Sequence, residues 1–140
     1  MSMKKKMILF GYGFLGKNVY SGLKENDSTV IKTKLNKIDD VLQLDISDHK
    51  RVSDLIDQEK PDIVINCAGR NDIDFLENNP EKARSINSIS PEIIAKKCQQ
   101  NNSRLIHIST DSVFDGKRGM YSENDLPNPK NVYAKTKLEG

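Results

Sequence analysis

A glycine-rich hexapeptide constrains the fold of this chain more than any other feature of its sequence: Gly11-Tyr12-Gly13-Phe14-Leu15-Gly16. It follows the short apolar run 7–10 and precedes a segment in which Leu15, Val19 and Leu23 recur at helical spacing. A strand, the pattern G-x-G-x-x-G and a helix, in this order, are typical of the first βα unit of a dinucleotide-binding sheet. A glycine-rich turn without a ligand is the alternative interpretation.

The rest of the chain alternates between strand-like and helix-like segments. After the first strand, apolar runs predict strands at 29–34, 40–45, 62–69 and 105–109. Between them, a helix capped by Ser47 or Asp48 ends before Pro61, and a longer helix over 80–100 is expected to kink at Pro91. This order predicts an α/β fold with a doubly wound, Rossmann-like parallel sheet of about five strands.

Ligands of such sheets bind outside the carboxyl ends of the strands. One of these ends, that of the second strand, carries Lys32-Thr33-Lys34 with no acidic residue nearby. An acidic residue there would hold the ribose 2′-hydroxyl of NAD, whereas a basic residue suits the 2′-phosphate of NADP. Lys32 therefore favours NADP. NAD stays open as the alternative, since lysines on an exposed loop would explain the same pattern.

The composition is that of an ordinary folded domain. With 140 residues, 36% of them hydrophobic and 30% charged, the chain is long enough to bury a core. The net charge of +2 gives no reason to expect a nucleic acid partner. No segment approaches the ~20 apolar residues of a membrane span. The isolated Cys67 and Cys98 suit a reducing cytoplasm, and the lone His49 and His107 predict no metal site.

A tyrosine and a lysine near the carboxyl end of the sequence suggest proton transfer. Tyr133 and Lys137 are four residues apart, which on a helix places both side chains on one face. A lysine ammonium stabilises a neighbouring phenoxide, so that a tyrosine beside it can exchange a proton with a carbonyl or alcohol oxygen. The hydroxyls of Ser109 and Thr110 end the strand before them. Taken alone, such a pair is more often a solvated helix face.

With both ends of the chain considered, the sequence resembles the extended short-chain dehydrogenase/reductases. Within them it is most similar to the dTDP-4-dehydrorhamnose reductase group of sugar-nucleotide enzymes. The matching segments are 11–16, 44–47, 61–68, 86–87, 108–116, 121–125 and 129–140. The block Ser-Thr-Asp-x-Val-Phe-Asp-Gly, at 109–116, is the most specific of them.

The resemblance implies a hydride transfer from the nicotinamide to C4 of a deoxyhexose nucleotide. Tyr133 would be the proton donor, Lys137 would hold the nicotinamide ribose and stabilise the phenoxide, and Thr110 would bond the substrate oxygen. Asp45 and Ile46 would lie against the adenine. The residues that the resemblance and the patterns together predict at the cofactor are Gly11, Tyr12, Gly13, Phe14, Leu15, Gly16, Lys32, Asp45, Ile46, Cys67, Ala68, Gly69, Asn87, Ser109, Tyr133 and Lys137.

Three departures from the family pattern leave alternatives open. Ser112 stands where the family usually has tyrosine, and Gly69-Arg70-Asn71 replaces the usual Ala-Tyr-Thr. The chain also stops at Gly140, so that residues 1–140 would be a cofactor-binding domain without the substrate-binding part. The expected partners are a nucleotide sugar and a second copy of the chain, with no nucleic acid and no membrane. A non-catalytic regulatory subunit, or a related epimerase or dehydratase, is the alternative function.

Overall fold

The computed structural model describes residues 4–24 and 28–140. Its strands are β1 (Lys6–Phe10), β2 (Thr29–Lys34), β3 (Leu42–Gln43), β4 (Ile63–Asn66) and β5 (Arg104–His107). Its α-helices are α1 (Phe14–Leu23), α2 (His49–Glu59), α3 (Ile73–Asn78), α4 (Pro80–Arg84), α5 (Ser90–Gln100) and α6 (Val132–Glu139). A π-helical stretch, Ser85–Ile89, joins α4 to α5, and a single 3₁₀ turn covers Asp111–Val113.

The strands form one parallel sheet, which confirms the predicted fold class. Their order is β3-β2-β1-β4-β5. The chain winds outward from β1 through β2 to β3 and then returns to β4 and β5 on the other side, so the strand order reverses between β1 and β4. A crevice opens at such a reversal, outside the carboxyl ends of the two strands. The glycine-rich turn after β1 and the segment after β4 meet at that point.

The core lies mainly on the face of the sheet that α2 and α5 cover. Ile8, Phe10 and Val64 are completely buried there, against Val52 of α2 and Ile94 of α5. These strands carry apolar side chains on both faces, since Leu9 is also fully buried. Continuous burial of this kind is expected for the central strands of a parallel sheet.

Two predicted elements differ from those observed. The strand expected at 40–45 is reduced to Leu42–Gln43, because Asp40 adopts a left-handed conformation with φ of 60° and Val41 bridges back to Ile38. A residue in that conformation cannot continue a strand.

The irregularity expected at Pro91 lies one turn earlier, in the π-helical stretch. A proline ring clashes with the carbonyl four residues before it, here that of Asn87. The helix accommodates the ring through the wider π turn, which runs directly into α5 and Pro91. The same stretch approaches the end of α6 so closely that a Cβ on Gly140 would lie 2.4 Å from the Asn87 carbonyl oxygen.

In residues 4–24 and 28–140, no helix is both long enough and apolar enough to cross a membrane.

Candidate nucleotide-binding groove

The three glycines of the motif serve different purposes. Gly11 has a φ of +87°, and a Cβ there would lie 2.5 Å from the Ala68 nitrogen. A Cβ on Gly16 would lie 2.2 Å from the Gly11 carbonyl oxygen, so α1 packs directly on the turn. A Cβ on Gly13, by contrast, would meet nothing within 4 Å. Gly11 and Gly16 are thus required by packing, whereas Gly13 faces open space.

We expect Gly11→Ala to lower the free energy of unfolding by roughly 3 kcal/mol, because it combines a left-handed backbone with a backbone clash. Gly116→Ala is the matched control: its φ is +71°, but nothing lies within 4 Å of its Cβ position. That control isolates the conformational penalty, about 1 kcal/mol. Urea unfolding of both variants measures the difference, and equal losses would contradict a clash at Gly11.

The open space at Gly13 belongs to a groove that runs along the carboxyl edge of the sheet. Its first part, about 350 Å³, extends from the glycine-rich turn towards β2 and β3. It is lined by Gly11, Tyr12, Gly13, Thr33, Lys34, Leu35, Leu44, Asp45, Ile46, Cys67, Ala68, Gly69, Arg70 and Ile86. Asp45 is held at its edge by accepting hydrogen bonds from the Ser47 nitrogen and hydroxyl, at 2.9 and 2.7 Å.

The second part of the groove, about 490 Å³, extends from the same turn towards α6. It is lined by Gly11, Gly13, Phe14, Leu15, Gly16, Cys67, Ala68, Gly69, Arg70, Asn71, Ile108, Ser109, Tyr133 and Lys137. Because the two parts share the turn and the segment after β4, they form one continuous groove. The structure therefore brings the glycine motif, Asp45, Ile46, Ser109 and the Tyr/Lys pair together along one surface.

Helix α6 presents Tyr133 and Lys137 to this groove. Its first turn is capped twice: the Asn131 carboxamide oxygen accepts from the Ala134 nitrogen at 2.7 Å, and Glu77 of α3 accepts from the Val132 nitrogen at 2.7 Å. Lys137 is 7% exposed and donates to the Ile108 carbonyl oxygen at 2.6 Å. Burial lowers the pKa of Lys137. The lysine is therefore fixed beside the end of β5 rather than solvated.

Lys32 does not line either part of the groove, so its predicted contact with the cofactor stays a prediction. Its side chain is 8% exposed, forms a 2.6 Å ion pair with Asp40 and lies 4.5 Å from the centroid of the Tyr20 ring. Lys34, two residues later at the end of β2, lines the groove instead. Of the two lysines that favoured NADP, Lys34 is the one in position to meet a ligand.

Thr110 and Asn87 do not line the groove either. The Thr110 hydroxyl accepts from the Ser112 nitrogen at 3.2 Å and so caps the 3₁₀ turn. Asn87, 1% exposed, lies in the π-helical stretch and pairs with the backbone of Arg70 in both directions. Asn87 therefore positions the loop after β4, and its predicted place at the cofactor stays a prediction. The role of Thr110 stays a prediction.

A polar pair behind the groove was missed by the sequence analysis. Asn66, 1% exposed at the end of β4, accepts from the Ala68 nitrogen at 3.1 Å. Its amide nitrogen lies 3.2 Å from Nδ1 of His107 on β5. These contacts shape the segment between β4 and α3. A lone asparagine in an otherwise apolar strand was the signal that could have revealed the pair.

The His107 ring is held neutral, which predicts sensitivity to acid. Burial and the nearby Lys137 lower the pKa of His107 from 6.5. Below that pH the unfolded chain takes up a proton that the folded chain does not, so stability is lost as pH falls. We expect unfolding by urea to become easier between about pH 7 and pH 5, and His107→Gln, which keeps an acceptor for Asn66, to reduce that dependence. Identical pH profiles would contradict this assignment.

The long segment after the 3₁₀ turn is folded around Asp115. Its carboxylate accepts from the Tyr121 hydroxyl at 2.5 Å, the Lys117 nitrogen at 3.1 Å and the Asn128 amide at 3.0 Å. These bonds, that of Tyr121 first, lower the pKa of Asp115 to about 2. The Tyr121 ring also stacks on Phe114, with centroids 4.6 Å apart. The specific block at 109–116 thus begins an ordered loop rather than lining the groove throughout.

Comparison with known proteins agrees with this geometry. Methionine adenosyltransferase 2 subunit beta from Xenopus tropicalis is 36% identical over 138 residues, covering 98% of this chain and 41% of that protein. The crystal structure of a hypothetical dTDP-4-dehydrorhamnose reductase from Sulfolobus tokodaii has a TM-score of 0.90 at 38% identity, covering 96% of this chain and 50% of the other. The dTDP-4-dehydrorhamnose reductase of Bacillus anthracis, solved in complex with NADP, has a TM-score of 0.86 at 29% identity, covering 99% and 48%.

The chain spans 41% to 50% of the length of these three proteins. A family model described as the RmlD substrate binding domain matches residues 4–140. The resemblance noted in the sequence is thereby confirmed. From its fold, its groove and this match, the chain belongs to the RmlD substrate-binding-domain family.

Proposed function

We propose that this chain is the cofactor-binding part of an NADP-dependent reductase that acts on a 4-keto-deoxysugar nucleotide. The observation that carries the proposal is the single groove that joins the open face of Gly13 to Tyr133 and Lys137. A site that only binds a dinucleotide would need no more than the glycine turn. A reductase also needs an acid within reach of the same groove, and Tyr133 supplies it.

The residues at the turn fit a dinucleotide pyrophosphate. The backbone at Gly13 is approachable, since nothing lies within 4 Å of its Cβ position. Gly13 is the N-cap residue of α1 and has no side chain to accept from the helix. The first N–H groups of a helix have no partner within the helix. Together with the helix dipole, those groups attract an anion. The bound cofactor would supply the hydride.

Tyr133 and Lys137 would handle the proton. Tyr133 would donate it to the sugar carbonyl oxygen, leaving a phenoxide that the charge of Lys137 stabilises. The 2.6 Å bond from Lys137 to the Ile108 carbonyl fixes that charge at the end of β5. Ser109 lines the same part of the groove, and Thr110 is the next residue in the chain. The hydroxyls of both residues are candidates for the hydrogen bond to the substrate oxygen.

The preference for NADP rests on Lys34 and on one relative. Lys34 lines the end of the groove next to Asp45, where the adenine ribose of a dinucleotide would lie. The B. anthracis reductase was solved with NADP. The reductase is preferred over an epimerase or dehydratase because two of the compared structures, at 38% and 29% identity, are described as reductases.

The remaining parts of the proposal concern the whole protein. The chain would act together with a substrate-binding part, and a nucleotide sugar would be the partner. A second copy of the chain is a further expected partner. A cytoplasmic location is consistent with the free thiols of Cys67 and Cys98.

A regulatory subunit is the second candidate function. The 36% identity to a methionine adenosyltransferase subunit favours it, since that protein is described as a subunit of another enzyme. Both candidates predict dinucleotide binding, but only the reductase predicts turnover of a sugar nucleotide.

The first test is a titration of the chain with NADPH and then NADH, following nicotinamide fluorescence. We expect saturable binding with NADPH the tighter ligand. Lys34→Met should reduce that difference, whereas Lys32→Met should leave it in place. If neither dinucleotide binds, the proposed function is wrong.

A further inference from the structure

Arg70 stands at the middle of the groove, where its two parts meet. It follows β4 in the segment that turns towards α3, and it lines both the part that reaches Asp45 and the part that reaches Tyr133. Arg70 is therefore adjacent to any ligand that occupies either part of the groove. In the sequence, Arg70 is a departure from the family pattern, and contact with a phosphate or simple solvation of its side chain are the two interpretations open there.

The backbone of Arg70 is fixed by a buried side chain. The Asn87 carboxamide oxygen accepts from the Arg70 nitrogen at 3.0 Å, and the Asn87 amide nitrogen donates to the Arg70 carbonyl oxygen at 2.9 Å. Asn87 is 1% exposed. These two bonds fix the backbone of Arg70, and with it the direction in which its side chain leaves the loop.

The guanidinium of Arg70 is oriented but not saturated. It stacks on the ring of Phe75, with its central carbon 3.3 Å from the ring centroid. Among the described residues its one ion-pair partner is Asp72, through a single long contact of 3.4 Å between exposed groups. An arginine has five N–H donors, so most of them are left for a ligand.

The charges around the groove favour an anion at this point. Its positively charged lining residues are Lys34, Arg70 and Lys137, and its negatively charged lining residue is Asp45. The helix start at Gly13 already offers N–H groups to one pyrophosphate. A planar arginine fork suits two phosphate oxygens at once, which a lysine cannot match.

We propose that Arg70 is a phosphate-binding residue that contacts a diphosphate group in the groove. Naming the source of that group rests on the proposed function: it is either the diphosphate of the nucleotide-sugar substrate or that of the dinucleotide itself. The chemistry is the same in both cases, and the departure from the family pattern at 69–71 then has a functional meaning.

The test uses the 140-residue chain and inorganic pyrophosphate, followed by NMR through the Nε–Hε signal of Arg70. Arg70→Met identifies the signal by removing it. We expect a saturable shift on addition of pyrophosphate. If the shift persists in the presence of saturating NADPH, the group belongs to the second substrate. If NADPH itself moves the signal and blocks the response to pyrophosphate, the group belongs to the dinucleotide.

Two further variants sharpen the test, with affinity followed through the backbone amide of Gly69. Asp72→Asn keeps the cap on the Phe75 nitrogen but removes the competing carboxylate, and should tighten pyrophosphate binding about threefold. Arg70→Lys keeps the charge and should weaken it roughly tenfold. Absence of any response of the Arg70 signal to pyrophosphate and to NADPH overturns the inference. A response to pyrophosphate without NADPH binding would instead refute only the proposed function.

Discussion

Replacing Gly13 by valine should weaken NADPH binding by about 100-fold, or roughly 2.8 kcal/mol, while the chain stays folded. The Cβ of the new side chain would meet no protein atom within 4 Å, but the side chain would occupy the space that a pyrophosphate needs. The backbone at Gly13 has a negative φ of −94°, outside the left-handed region that favours glycine. Losing glycine as the helix cap should cost no more than about 1 kcal/mol.

Gly22→Val is the matched control for this experiment. Gly22 lies on the same helix, and its Cβ position is equally open, but it is away from the groove. Fluorescence titration and thermal unfolding of the two variants separate binding from stability. Unchanged NADPH affinity in Gly13→Val would show that the turn does not hold the dinucleotide.

In a full-length protein that joins this chain to the substrate-binding part, Tyr133→Phe should reduce turnover of a 4-keto-deoxysugar nucleotide by about 100- to 10,000-fold, the usual contribution of a general acid. NADPH affinity should change little, because the variant removes a single hydroxyl at the edge of the groove. The steady-state rate of NADPH oxidation and the dissociation constant from titration measure the two quantities separately.

Tyr20→Phe makes the same chemical change on α1, outside the groove lining, and should leave turnover intact. A fully active Tyr133→Phe variant would refute the assigned proton donor. If a protein that contains this chain together with the substrate-binding part binds NADPH but turns over no sugar nucleotide, the regulatory-subunit alternative becomes the better explanation.

The difference between Lys32 and Lys34 shows that a sequence pattern does not reveal which of two similar side chains lines the site. The two residues point to the same side of β2, because side chains alternate along a strand, and their chemistry is identical. The two residues differ in their position along the strand and therefore in their burial. Lys32 pairs in register with Leu9, in the middle of the sheet, and its ammonium lies among Asp40, Tyr12 and Tyr20. Lys34 ends the strand at the groove.

Asn87 and His107 show that contacts between residues distant in sequence are also not predictable from local patterns. Asn87 clamps Arg70 across 17 residues, and His107 bonds Asn66 across 41. Neither distance leaves a trace in local periodicity. Each contact depends on which elements the completed fold brings together, here the π-helical stretch with the loop after β4, and β5 with β4.

The order of strands and helices was determined by the sequence alone, because apolar runs, glycines and prolines act on the backbone within a few residues. The parallel sheet and the close packing of Gly16 on the turn at Gly11 follow from such local signals. Tertiary structure decided which polar side chains meet in the groove. It buried Lys32, left Lys34 half-buried at the groove and fixed Arg70 on Asn87. A side chain's partners are set by long-range packing, which local pattern does not encode.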